Sequence, residues 1–322
     1  MELPAQLRSA IDRELEGLSL SYLRAASDRL TARYRAETRD GRLHLDGLLA
    51  VKAYVAARMP ATYAAIRSAL EATGGQLSGL APATLLDVGA GPGTALWAVR
   101  DCWPELQSAV LVEASESANH IGSALARQMS GVNIRWEGGD AAIALARCKP
   151  ADLVTLAYVL DELEPAPRTA LVDRLWQLTG QALVIVEPGT PAGWSRIIAA
   201  RQQLIQLGAA IAAPCPHQFT CPLALPDWCH FSRRVARSKL HRLTKSGDAP
   251  FEDEKFIYLA AARAVVDARG SRVLAPPRHS KIGIDLKLCQ PGGTVSQTFA
   301  PKRETGRYRI AKRLDWGDAF ES

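Results

Sequence analysis

The sequence predicts an α/β protein built on a doubly wound, Rossmann-like sheet. From residue 83 onward continuous apolar stretches alternate with helical ones, a glycine-rich turn follows the first stretch, and the chain ahead of it has helical periodicity throughout. Apolar runs without polar alternation are strands buried on both faces, as in a parallel sheet covered by helices on each side.

In chain order, residues 3 to 75 read as helices. Leu7, Ile11 and Leu15 recur at a spacing of four, and Leu20, Leu23 and Leu30 continue the pattern without strand-like alternation. Within this segment Arg58-Met-Pro60-Ala-Thr62-Tyr63 interrupts the helix at proline, either as a helix corner or as a contact to a ligand. Strands are expected at 84–88, 109–113, 133–137, 152–157 and 182–187, with helices near 94–101, 116–129, 141–147, 166–178 and 194–208. Residues 212–231 are rich in Pro and Cys, and strands resume at 255–264, 272–276, 282–288 and 294–300. The domain reading is a helical cap over 1–80, a Rossmann-like core over 81–211, a cysteine-rich metal-binding segment over 212–231, and a basic part over 232–322 that completes the sheet and adds a small β extension.

The chain has 322 residues, 48% of them hydrophobic and 22% charged, the balance of a globular protein that can bury a full core. No apolar run reaches the roughly 18 residues of a membrane span. Met1-Glu-Leu-Pro-Ala-Gln lacks the pattern of a signal peptide, and Glu2, Asp12, Glu14 and Glu16 argue against a presequence, so the expected compartment is cytoplasmic, with no membrane partner. The net charge of +6 is uneven: residues 231–322 hold 19 Lys and Arg against 10 Asp and Glu. A block of that sign suits a phosphate backbone, or is a solvated surface. If it binds RNA, affinity falls with salt, and reversing Arg233, Arg234, Arg237 and Lys239 weakens it.

The decisive stretch is Asp87-Val-Gly89-Ala-Gly91-Pro-Gly93, a strand entering a glycine turn and then a helix. Glycine permits the tight turn and lets a ligand lie against bare backbone. The spacing differs from the dinucleotide fingerprint, and an acid precedes the first glycine. Glu113 ends the next strand, 20 residues after Gly93, where its carboxylate can accept the hydroxyls of an adenosine ribose. Asp140, after the third strand, can accept from an adenine amino group. Carboxylates without nearby Lys or Arg favour S-adenosylmethionine, which carries a sulfonium and an ammonium, over a pyrophosphate. The cofactor-binding set is therefore Asp87, Gly89, Gly91, Gly93, Glu113 and Asp140. Asp161 and Glu162, after the fourth strand, are candidate catalytic bases for methyl transfer, or caps of the helix that begins near Pro165.

Six cysteines in a reducing compartment do not suggest a disulfide framework. Cys102 and Cys148 read as apolar filler. Cys215, Cys221, Cys229 and Cys289 fall late, the first three beside Pro or His, and four thiolates suit an iron–sulfur cluster or an all-cysteine zinc site. His217 and His230 are possible substitutes.

Together, Arg58-Met-Pro-Ala-Thr-Tyr63, the Asp87 loop, Val186-Glu-Pro-Gly-Thr-Pro191, the block from Cys215 to Phe231, Phe251-Glu-Asp-Glu-Lys-Phe256 and Trp316-Gly-Asp318 resemble the mitochondrial small-ribosomal-subunit methyltransferase-like family and its bacterial relatives. The resemblance covers nearly the whole chain and is most specific in the cysteine block. It implies a class I methyltransferase fold that engages the small ribosomal subunit or its rRNA during assembly. It further implies a [4Fe-4S] cluster on Cys215, Cys221, Cys229 and Cys289. Members use the fold either for methyl transfer or as RNA-binding assembly factors without turnover.

Overall fold

The computed structural model describes residues 1–36, 43–245, 249–266 and 270–321. Four helices come first: α1 (Ala5–Glu14), α2 (Leu20–Arg35), α3 (Leu48–Ala57) and α4 (Met59–Gln76). The break between the last two falls at Arg58, where Pro60 occupies the first turn of the new helix, a position that needs no backbone N–H. The alternating core follows as β1 (Thr84–Val88), α5 (Thr94–Cys102), β2 (Ser108–Glu113), α6 (Glu116–Ala126), β3 (Asn133–Gly138), α7 (Ala141–Leu145), β4 (Ala151–Ala157), α8 (Pro165–Gln177), β5 (Thr179–Pro188) and α9 (Pro191–Gln206). Side-chain caps start several of these helices. The Ser115 hydroxyl accepts from Ala118 N at 3.1 Å, and the Thr190 hydroxyl accepts from Gly193 N at 3.1 Å.

The main sheet is finished by β6 (Ala210–Ala213), β7 (Phe231–Ala236) and β8 (Phe251–Ala262), with α10 (Lys239–Lys245) between the last two. The strand order is β3-β2-β1-β4-β5-β8-β6. The first five strands are parallel, and β8 runs antiparallel to β5, to β6 and to β7. This late reversed strand completes a Rossmann-like mixed sheet. Residues 182–187 of β5 and 256–262 of β8 are buried without alternation, so helices cover both faces here. Helix α4 packs on β7 and β8, and α9 packs on β5 and β8.

The chain ends in a second sheet made of β9 (Ser271–Val273), β10 (Arg278–His279), β11 (Gly283–Cys289), β12 (Val295–Pro301) and β13 (Ala319–Phe320), with α11 (Thr305–Ala311) beside it. Val273, Ile284, Leu286, Leu288, Ala300, Ala311 and Phe320 form its own small core.

The first five strands lie where expected, β5 beginning three residues early at Thr179. The strand expected at 255 begins at Phe251, because Asp253 meets Arg234 across the ladder with β7 and Glu252 meets Arg237 just past its end. Strands β6, β7, β10 and β13 and helices α10 and α11 were not anticipated. Ile185 sits at the centre of the sheet, fully buried and paired with Leu156 on one side and Leu259 on the other. Ile185→Ala is expected to cost about 2–5 kcal/mol in urea unfolding, and a loss under about 1 kcal/mol would contradict its core placement.

Candidate functional site

A pocket of about 250 Å³ opens at the carboxyl ends of β1, β2 and β4, the side on which open α/β sheets take ligands. The glycine loop forms one wall. Gly89, Gly91 and Gly93 have φ of 64°, 53° and 82°, a region costly for any other residue, and a Cβ at Gly89 would lie 2.3 Å from Val159. The loop amides are satisfied internally: Gly89 N and Ala90 N donate to Val112 O, Gly93 N to Ala90 O, and Gly91 N to Glu113 Oε2.

Glu113 also accepts from Ser115 N at 2.7 Å, so each carboxylate oxygen already holds a backbone amide. This holding role was not legible in the sequence. Asp87 is buried at the end of β1; Thr155 on β4 donates to its Oδ1 at 2.7 Å, and Oδ2 has no partner among the described residues. Burial, offset in part by the Thr155 bond, pushes its carboxyl up to about 7. Asp140 lines the pocket and also caps α7, accepting from Ala142 N at 2.8 Å. Asp161 and Glu162 line the pocket as well. The N-cap of α8 is Glu164, and no side chain makes a capping hydrogen bond there. Burial, then the charges of Asp161 and Glu113, push the Glu162 carboxyl up to about 8.

Beyond β4 the wall is a network the sequence did not reveal. Tyr158 has φ 59°, a strained value for a side chain of its size. Its N donates to Val186 O, its hydroxyl donates to Glu254 at 2.9 Å, and the Arg58 guanidinium lies 5.3 Å from its ring centre. Arg58 also makes two bonds to Glu254, at 2.8 and 2.7 Å. Arg58 and Glu254 stand in two of the segments that carry the family resemblance, and their pairing joins the helical cap to β8.

The four late cysteines converge on a second, smaller pocket, lined by Cys215, Cys221, Cys229 and Cys289 together with His217, Tyr258, Arg201 and Arg272. Burial and the neighbouring thiols raise Cys221 and Cys229 and push Cys289 up to about 12. Cys289 Sγ lies 3.4 Å from His217 Nε2, whereas His230 stacks on Trp228 and meets Trp316 edge-on, outside this lining. Among the described residues, no group of three or more His, Cys, Asp or Glu side chains is arranged to hold a metal ion, so the expected ligands share a pocket without forming a single-ion site. Cys148 is buried and Cys102 half-buried.

The basic residues expected to face RNA are largely engaged within the fold. Arg233 donates to the Ser68 hydroxyl, Arg234 pairs with Asp253 and Arg237 with Glu252. The charge excess of the C-terminal part is instead carried outward by Arg278, Lys281, Lys302 and Arg303, all exposed. Lys302 N donates to Ile282 O, which places these cations by the exposed Ile282 and Phe299 at one end of the second sheet.

A family described as "Mitochondrial small ribosomal subunit Rsm22" matches residues 48–321. The chain belongs to the Rsm22 family. A human relative, "Ribosome assembly protein METTL17, mitochondrial", is 30% identical over 287 residues, covering 82% of this chain and 61% of that protein. "Rsm22-cox11 tandem protein 2, mitochondrial" from Schizosaccharomyces pombe is 24% identical over 193 residues, covering 45% of this chain and 26% of that protein. The Rsm22-family chain thus spans about three-fifths of the human relative and a quarter of the yeast one. An O-methyltransferase family protein from Burkholderia thailandensis aligns with a TM-score of 0.46 at 13% identity, over 76% of this chain and 71% of that one. Both relatives are named as mitochondrial, in contrast to the cytoplasmic expectation from the N-terminal residues. Among the described residues no helix is long and apolar enough to cross a membrane.

The raised carboxyl of Glu162 has a consequence for stability. The folded protein keeps a proton that the unfolded chain gives up near 4.5, so between about 4.5 and 8 this group makes stability fall as pH rises. Glu162→Gln is expected to raise the melting temperature at pH 8.5 more than at pH 5.5; an equal change at both would contradict the buried, protonated carboxyl.

Proposed function

We propose that this chain binds S-adenosylmethionine in the glycine-loop pocket and acts on the small ribosomal subunit or its rRNA during assembly. The observation that carries the cofactor reading is the internal bonding of the amides of Gly89, Ala90, Gly91 and Gly93. A pyrophosphate site needs such N–H groups free, and the wall here offers Asp87, Glu113, Asp140, Asp161 and Glu162 to a cationic ligand instead. Asp140 and Glu113 are assigned to the adenosine end, with Glu113 offering its remaining lone pairs. Asp161 and Glu162 are assigned beside the transferring methyl as candidate bases, Glu162 accepting a proton only once its own carboxyl has been deprotonated, which a bound sulfonium would favour.

A second reading, a non-catalytic RNA-binding assembly factor, is favoured by the Arg58, Tyr158 and Glu254 network, which occupies the wall where an acceptor would lie. In both readings Cys215, Cys221, Cys229 and Cys289 hold a [4Fe-4S] cluster. A zinc ion draws four sulfurs to about 2.3 Å from one point, whereas a cluster carries one thiolate on each of four separate irons and so suits ligands that share a pocket without forming a single-ion site. When bound, the cluster supplies a covalent tie between the cysteine-rich segment and β11. The surface assigned to RNA is the one bearing Arg278, Lys281, Lys302 and Arg303, and the assignment to the small subunit rests on family membership. The mitochondrial names of the relatives favour that compartment over a cytoplasmic one.

Calorimetry with S-adenosylmethionine is expected to give one site per chain, lost in Gly91→Arg, whose side chain would enter the pocket. Unchanged binding in that variant would sink the cofactor assignment. Tritiated methyl transfer to small subunits purified from cells lacking the protein separates the two readings: incorporated label supports the enzyme, and binding without label supports the assembly factor. Replacing Lys281, Lys302 and Arg303 by Glu is expected to weaken rRNA binding and flatten its salt dependence by about one unit of slope per lost phosphate contact; a slope that does not move would exclude this surface.

A further inference from the structure

The cysteine pocket contains two charges that have no counterpart among the described residues. Arg201 on α9 and Arg272 on β9 both line it, and their relative exposures are only 3% and 7%. No Asp or Glu lines the pocket, and neither arginine has an ion pair among the described residues. Arg201 donates from Nη2 to His217 O at 2.8 Å, while its Nε is buried with no hydrogen-bond partner. Arg272 donates to two carbonyls, Pro214 O at 2.8 Å and Gly317 O at 2.7 Å. Carbonyl dipoles satisfy donors but leave the charge uncompensated, and a buried charge without a counter-charge is strongly unfavourable.

We infer that Arg201 and Arg272 are positioning residues whose two positive charges are set against a dianionic four-thiolate centre in this pocket. The inference rests on the four-cysteine reading above. Four protonated thiols would leave the pocket at +2. Four thiolates on a [4Fe-4S]2+ core, or on a zinc ion, sum to −2 and cancel both guanidinium charges. Arg272 also lies opposite Cys289 in the β9–β11 ladder, so the counter-charge is fixed by strand register to one ligand, while Arg201 reaches the segment that carries the first. Net charge and hydrogen bonding around the sulfurs set the reduction potential of such a centre. Adding one electron from dithionite takes the cluster with its thiolates from −2 to −3, so removing a nearby positive charge disfavours reduction.

The test uses the full chain purified anaerobically, with Arg201→Met and Arg272→Met as charge-removing variants and Arg201→Lys and Arg272→Lys as charge-keeping ones. Iron and sulfide analysis comes first, followed by a dithionite titration read by visible absorbance and by electron paramagnetic resonance. Each Met variant is expected to show at least a tenfold lower reduced-to-oxidised ratio at a fixed poise, which is about 59 mV for a one-electron couple, with the Lys variants close to the parent protein. Full clusters with unmoved potentials in the Met variants would overturn the role of the arginines and leave the cluster standing. Should a Met variant fold by circular dichroism but hold no iron, loading of its Lys counterpart supports the inference, and equal loss from both overturns it, since shape rather than charge would then be at stake. Zinc without sulfide in the parent protein refutes the cluster alone; tenfold faster zinc release to a chelator from Met than from Lys variants then supports the arginines, and equal release overturns them. A parent protein that takes up neither iron nor zinc removes the four-cysteine reading and the inference with it.

Discussion

The antiparallel insertion of β8 between β5 and β6 is the constraint on which both pockets depend. Its register is set by Phe256, which pairs with Pro188 of β5 and with Phe231 of β7. From that point the strand reaches in two directions. Glu254 lies two residues before it and meets Arg58 and Tyr158 in the glycine-loop pocket, while Tyr258 lies two residues after it and lines the cysteine pocket. A slip of one residue would reverse every side chain of β8, detaching the helical cap from the sheet at Arg58 and replacing the wall behind Cys229. The rows of buried residues on both faces of this strand make such a slip costly, since the whole apolar set would move with it.

The two pockets treat buried charge in opposite ways. Around the glycine loop the fold concentrates carboxylates, and it commits Arg58 to Glu254. Around the cysteines it places guanidinium groups, with no acid in the lining among the described residues. Each arrangement is unfavourable by itself, and a ligand of opposite sign would relieve it. Along the central strands β1, β4 and β5 the only acidic or basic residues are Asp87, Asp152 and Glu187, the last paired with Arg196 of α9.

Much of the core was legible because buried parallel strands are written as unbroken apolar runs. Residues 84–88 and their glycine turn could be placed from Leu85, Leu86 and the spacing of Gly89, Gly91 and Gly93. What escaped were features whose meaning depends on a distant partner. Phe231-Ser-Arg-Arg-Val-Ala236 looks like a solvated basic run, and only Glu252 and Asp253, twenty residues on, make it a strand. Glu113 has the same local signature whether it faces a ribose or holds its own loop, and the structure adds the second role. Arg201 sits in a helix with ordinary amphipathic spacing, so its burial could not be anticipated. The four cysteines were grouped by their flanking prolines and by family resemblance, and their shared pocket requires the second sheet to carry Cys289 back to the main one.

The position of Cys289 in the chain bears on synthesis. Cys229 and Cys289 are 60 residues apart, and the intervening chain includes β8, without which the main sheet has no wall for the cysteine segment. At the roughly 5–20 residues per second of translation, that interval lasts about 3 to 12 s. Throughout it Cys215, Cys221 and Cys229 stand in an unfinished pocket, open to oxidation and to adventitious metals. The fold thereby ties the chemical integrity of these thiols to the speed of elongation, a kinetic demand made by topology alone.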